Sequence, residues 1–179
     1  QAFNCLLSYV LIFCQFGAIL PISRFAGQPA SVMMTYLAGT SMKISELLTP
    51  SLIKLDIQST EKPELFAEMV QLFVNEGLIT DSAAAVEALV EREKKMSTGI
   101  SRWLGLPHGK LAEANGLLMA LGISKDGLDY DSLDGEPVYV VITIFAELGN
   151  PGPHILALAE ISRLFSIPGF AERLRDATS

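Results

Sequence analysis

A chain of 179 residues, 50 % of them apolar, has the length for one domain with an appendage and the material for a real core. Its formal net charge of −7 argues against nonspecific binding to nucleic acid or to an anionic membrane surface. The two cysteines, Cys5 and Cys14, lack Cys-x-x-Cys spacing, which excludes a cysteine metal cluster and points to reduced thiols rather than a disulfide framework.

The run Cys5 to Leu20 is almost wholly apolar and ends at Pro21, with Arg24 just beyond. A spanning helix needs about 20 apolar residues, so this run lies at the limit. No charged stretch precedes it, so it fits a signal peptide badly. Three readings stand: the last membrane span of a larger protein, a degenerate signal or anchor, or an extension outside the working protein. If the run spans, Arg24 puts the following domain in the cytoplasm. Gly27, Pro29, Ser31 and Gly39 read as linker, so residues 1–41 form the extension and 42–179 the domain.

In "ISELL" the chain makes a helical turn or two, stopped by Pro50, and "LIKLDI" alternates like an edge strand. "TEKPELFAEMVQLFVNEG" predicts a helix capped at Thr60 and closed at Gly77, with Leu65, Phe66, Met69, Val70 and Phe73 on one face. "TDSAAAVEALVEREKKM" predicts a second, capped by Thr80 or Asp81, with Val86, Leu89 and Val90 inward. Its basic last turn, Arg92 with Lys94 and Lys95, suits the negative end of a helix dipole and reads by default as a solvated face. The period then switches. "GISRWLGLPH" has strand character around a tight bend, "GLLMALGI" reads as a buried strand, and "DYDSLDGEP" is a loop. "VYVVITIFAEL" is the strongest strand signal, "GNPGP" a loop, "HILALAEISRLF" a helix and "PGFAERLRDA" a last short one. Helices before and after a group of strands predict an α/β fold, a sheet with helices packed on its faces.

The chemistry centres on the only two histidines. Pro107 holds the backbone before His108 extended, and Gly109 lets another group approach closely. A histidine on such a turn serves as base, metal ligand or nucleophile, or simply as a partly buried turn residue. No serine or cysteine motif supplies a partner nucleophile, and a metal site would have to join His154 with scattered carboxylates. A nucleophilic imidazole needs less: it accepts a group on its own lone pair, given donors for that group's oxygens. His154 begins a predicted helix, where free N–H groups favour anions. Facing His108, it would complete a small anion site, with Arg92 and Lys110 adding charge and Ser97, Thr98 and Ser101 adding hydroxyls.

The segment "EREKKMSTGISRWLGLPHGKL" resembles the active-site segment of the fructose/mannitol-type enzyme IIA domains of the bacterial sugar phosphotransferase system. It is most similar to the nitrogen-regulatory branch, whose pattern runs R-E-K-x-G-S-T-G-I-G-N-G-I-A-I-P-H-G-K. The likeness runs from Met42 to Ser179 through "MKISELLTPSLIKLDI", "LDGEPVYVVITIF" and "PHILALAEISRLF". It implies an α/β sandwich in which a mixed β-sheet is flanked by helices. It implies a cytoplasmic phosphotransferase in which His108 takes phosphate from the phosphocarrier HPr or its nitrogen-branch paralogue, with His154 as supporting histidine and Arg92 and Thr98 stabilising the phosphoryl group. Onward, it implies either transfer to an enzyme IIB or control of a regulated protein; the lack of a transport domain in this chain tilts the expectation towards regulation. The alternative is a non-catalytic binding module attached to a membrane transporter through residues 1–41. No cofactor, metal or nucleic acid is implied, and a membrane only if residues 5–20 span. The chain departs from the pattern at Ser101-Arg102-Trp103, where the family has G-N-G, at Met96, which replaces a glycine, and after "RLRDATS", where relatives continue into more helix. The first departure bears on which partner docks.

Overall fold

The computed structural model describes residues 43–177, residue 102 apart. The expected extension, with its membrane-span, signal and cysteine readings, lies outside the described residues. No described helix is long and apolar enough to cross a membrane.

The described chain begins with 3-10 turns at Ile44–Glu46 and Pro50–Leu52 and a two-residue strand, β1, Ile53–Lys54. Helix α1 spans Lys62–Asn75 and α2 spans Ser82–Glu93. Two short strands follow, β2 at Gly99–Ser101 and β3 at Leu104–Gly105, then β4 at His108–Leu111. The long strands are β5, Leu117–Leu128, and β6, Val138–Glu147. Helix α3, Pro151–Phe165, and the short α4, Phe170–Arg175, close the chain.

The six-stranded sheet runs β1-β5-β6-β3-β2, with β4 also on β6 beyond β3. It is mixed. β5 and β6 pair antiparallel across their nine-residue loop, 129–137, whereas β1 on β5 and both β3 and β4 on β6 are parallel. The expected α/β sheet with flanking helices is the observed fold.

Helix α1 forms where the period requires. Leu65, Phe66, Met69, Val70 and Phe73 are all at most 2 % exposed, each contributing about 2 kcal/mol of apolar burial. They pack against Val141 and Phe145 of β6, Phe73 edge-on to Phe145. Its N-cap is Glu61 rather than Thr60 and makes no side-chain cap bond, because Pro63 already removes one orphan donor. Asp81 caps α2 by accepting from the Ala84 amide, and Glu113 accepts from Thr80 and Asp81. Helix α2 rolls slightly from the predicted face: Ala85 and Leu89 are its buried pair, while Val86 and Val90 are half-buried.

Several element boundaries differ from expectation: β1 keeps only two residues of "LIKLDI", and β5 runs on to Leu128 past "GLLMALGI". "HGKL" is a strand rather than a turn end: His108 to Leu111 pair with Ile144 to Glu147. Gly109 makes this possible, since a Cβ there would lie 3.1 Å from the Ala88 methyl of α2. Helix α3 begins at Pro151, inside the expected loop "GNPGP", because a proline in the first turn sacrifices no helical hydrogen bond.

Candidate active site

His108 opens β4, and both the end of α2 and the start of α3 come to it. The residue is 6 % exposed. Nδ1 lies 2.8 Å from the Leu106 carbonyl oxygen, and the Arg92 Nε lies 3.0 Å from Nε2. A carbonyl only accepts and a guanidinium only donates, so the proton sits on Nδ1 and the lone pair on Nε2. Burial drives the imidazolium pKa down to about 3; the Leu106 bond opposes this, and His154 and Arg92 deepen it. His108 is therefore a neutral imidazole throughout the physiological range, with its unprotonated nitrogen turned to a cation.

Arg92 reaches it from the last turn of α2. Its Nη1 donates to the Met96 carbonyl at 3.0 Å, so the guanidinium has two anchors. Burial lowers its pKa, countered by the neighbouring Glu93 charge. This is not the solvated helix end that its sequence setting suggests.

His154 lies in the first turn of α3, its ring 5.1 Å from the His108 ring and inclined at 66°. Its Nε2 is buried and has no hydrogen-bond partner among the described residues. Burial, and then the charges of Lys110 and Arg92, hold its pKa down to about 4. An unpaired buried nitrogen at a helix N-terminus has hydrogen-bonding capacity that the described residues leave unmet.

Thr98, 3 % exposed, sits further back. Its hydroxyl is 2.6 Å from Glu93 Oε2 and 3.0 Å from the Tyr130 hydroxyl. A carboxylate only accepts, so the Thr98 proton is committed to Glu93 and Tyr130 donates to Thr98. Thr98 thus joins the site through Glu93 in this arrangement, not as an open donor. Ser97 likewise faces the Tyr130 carbonyl and accepts from the Gly99 amide. Lys110 is exposed and acts on His154 through its charge.

Sequence reasoning therefore placed His108, Arg92 and His154 together, and passed over Glu93, Tyr130 and the Leu106 carbonyl. The available signal was the acid beside Arg92 in "EREKK"; Tyr130 was hidden in what read as a polar loop. Among the described residues no group of three His, Cys, Asp or Glu is disposed to hold a metal ion.

The departure "SRW" has a structural form. Trp103 has φ of +68°, in the left-handed region where a glycine sits easily. Its ring lies edge-on to Tyr139 at 4.9 Å, and the Arg175 guanidinium covers it at 4.8 Å.

The family described as "Phosphoenolpyruvate-dependent sugar phosphotransferase system, EIIA 2" matches residues 46–179. The chain is similar to the PTS system fructose-specific EIIABC component of Bacillus subtilis, 41 % identical over 138 residues, covering 77 % of this chain and only 22 % of that protein. It is 30 % identical over 138 residues to a nitrogen regulatory protein of Bradyrhizobium diazoefficiens, covering 75 % of this chain and 87 % of that one. The crystal structure of nitrogen regulatory protein IIA-Ntr from Neisseria meningitidis superposes with a TM-score of 0.71 at 29 % identity, over 76 % of this chain and 92 % of that one.

Proposed function

This chain belongs to the EIIA 2 family of the phosphoenolpyruvate-dependent sugar phosphotransferase system, and we propose that it relays a phosphoryl group through Nε2 of His108. The observation that carries the reading is the paired bonding of that ring: Nδ1–H to Leu106, Nε2 towards Arg92. It supplies a neutral nucleophile with its lone pair already directed at the cation that an incoming phosphoryl group needs.

The step balances as a displacement. A phosphohistidine carrier of the HPr type docks over the β4 edge. The His108 Nε2 lone pair forms the new N–P bond as the carrier's P–N bond breaks and its electrons return to the carrier's imidazole. The Nδ1 proton stays in place, and Leu106 stabilises the positive charge the ring acquires. Arg92 turns from Nε2 to the phosphoryl oxygens. His154 and the first amides of α3 hold the oxygens from the other side. Thr98 supports the site through Glu93.

The higher identity to a fructose EIIABC component than to a nitrogen regulator favours onward transfer to an enzyme IIB over a regulatory endpoint. On this reading the domain works in the cytoplasm, beside a soluble carrier, and residues from Met42 onward suffice for the chemistry. The matched span, beginning at residue 46, supports that boundary.

The test is incubation with a phosphorylated HPr-type carrier, followed by intact mass before and after acid. One acid-labile phosphoryl adduct is expected on the chain from Met42, and none on His108→Ala. A purified fructose-type IIB should then discharge the adduct. Retention of the adduct in its presence would favour the regulatory endpoint, and no adduct with any carrier would leave a binding module.

A further inference from the structure

Arg92 donates to the His108 Nε2, and its second anchor, the Met96 carbonyl, lies in the turn that closes α2. That turn is held by Glu93. Its Oε1 takes Lys62 Nζ at 2.7 Å, and its Oε2 takes the Thr98 amide at 2.9 Å and the Thr98 hydroxyl at 2.6 Å. The carboxylate is largely buried, with 12 % of its side chain exposed and 21 % of Lys62. Lys62 is the first residue of α1 and also lies 4.8 Å over the face of Tyr130, whose hydroxyl donates to Thr98. Both oxygens of Glu93 thus bind groups from separate elements: α1 on one side, the turn before β2 on the other.

We infer that Glu93, clamped between Lys62 and Thr98, is the positioning residue for phosphoryl transfer: it fixes the Met96 carbonyl as the pivot on which Arg92 swings from His108 to the phosphoryl oxygens. This deepens the relay reading and rests on it. When Nε2 takes the phosphoryl group, Arg92 loses that anchor and keeps only Met96. The position of Met96 then decides whether the guanidinium meets the oxygens, and a misplacement on the scale of 1 Å is enough to slow a positioned reaction markedly. Glu93 also places a negative charge beside a half-buried guanidinium, which offsets the cost of burying that cation.

The experiment has one readout that needs no phosphoryl donor and one that does. In the unphosphorylated protein, the Arg92 Nε–H resonance is expected to be slow to exchange, and the His108 Nε2 nitrogen shift to show an accepted bond. Glu93→Ala should abolish the first and move the second towards a free imidazole, while the His108 Nδ1–H signal persists. In transfer from a phosphorylated HPr-type carrier, Glu93→Ala should lower kcat by roughly 10²-fold, with KM for the carrier little changed. Glu93→Gln, which keeps an acceptor for Thr98, should recover part of that loss. If Glu93→Ala does not fold, Glu93→Gln and Lys62→Gln decide, and both should weaken the Arg92 signal. Arg92 and His108 signals unchanged in variants that only lose thermal stability would overturn the clamp. Clear loss of the Arg92 signal in a protein that no carrier phosphorylates would overturn the relay and leave the clamp standing.

Discussion

The two helices that meet at His108 present opposite ends to it, and in opposite states of readiness. Helix α2 brings its C-terminal turn, where Arg92 and Glu93 are bonded to His108, Met96, Thr98 and Lys62. Helix α3 brings its N-terminal turn, where the His154 Nε2 is buried and unpaired among the described residues. The carboxylate–guanidinium side is complete without a ligand. The other side has its electrostatic preference, the positive end of a helix dipole, but not its partner. Such an asymmetry suits a group that must be both received and released: one wall holds the geometry while the other gains its bond only with the anion present.

Four changes would break or sharpen that contrast. Arg92→Ala removes the prepared donor, and phosphoryl uptake should fall by about 10²- to 10³-fold in kcat, read by stopped mass spectra against time. His154→Ala removes only a bond made with the anion, worth roughly 10- to 100-fold. A loss as large as that of Arg92→Ala would show that the two walls are equally committed.

The third change is in stability. An unfolded histidine takes up a proton near 6.5, whereas folded His108 and His154 resist protonation until about 3 and about 4. Below about pH 6.5 the unfolded chain therefore binds more protons, so stability falls with pH and goes on falling through the folded values. Between about pH 6.5 and 5, above the main carboxylate range, the denaturant midpoint of the wild type should drop. That of His108→Gln/His154→Gln should stay nearly level. An equally steep drop in the double variant would mean that neither ring is held neutral.

The smallest effect belongs to Trp103→Gly. The lost packing on Tyr139 and Arg175 is about 1 kcal/mol, and relief of the positive φ returns a similar amount. Thermal stability should move by only a few degrees and kcat should not change; a rise in KM for the carrier would give Trp103 a part in docking.

Much of this was legible beforehand, for identifiable reasons. Helix α1 and strand β6 carry long, uniform patterns, one amphipathic and one β-branched, which tertiary contacts had no cause to override. Strand β4 was not legible, because it has only four residues and depends on Gly109 fitting against Ala88, a contact between segments distant in sequence. Strand β5 continues past the apolar run through exposed Lys125 to Leu128, where pairing with Val138, not apolarity, extends it. His108, Arg92 and His154 were visible through residue type and family likeness. Glu93 was not, since a glutamate in the last turn of a helix looks solvated until the chain folds back over it at Thr98.

The sheet's connectivity carries a consequence for the order of events in folding. β5 and β6 are joined by one short loop and pair along most of their length, whereas Ile53 must find Leu121 and His108 must find Ile144 by parallel pairing across long stretches of chain. Closing those larger loops is slower, so the hairpin is expected to form first and the nucleophile's own strand to dock late. Strand β6 records the sequence on its two edges. The Val140 and Ile144 amides bond to Trp103 and Pro107, while β5 takes up the other edge. In pulse-labelled hydrogen exchange during refolding, the amides facing β5 should gain protection before those of Val140 and Ile144. Simultaneous protection would mean that chain assembly and site assembly are a single event.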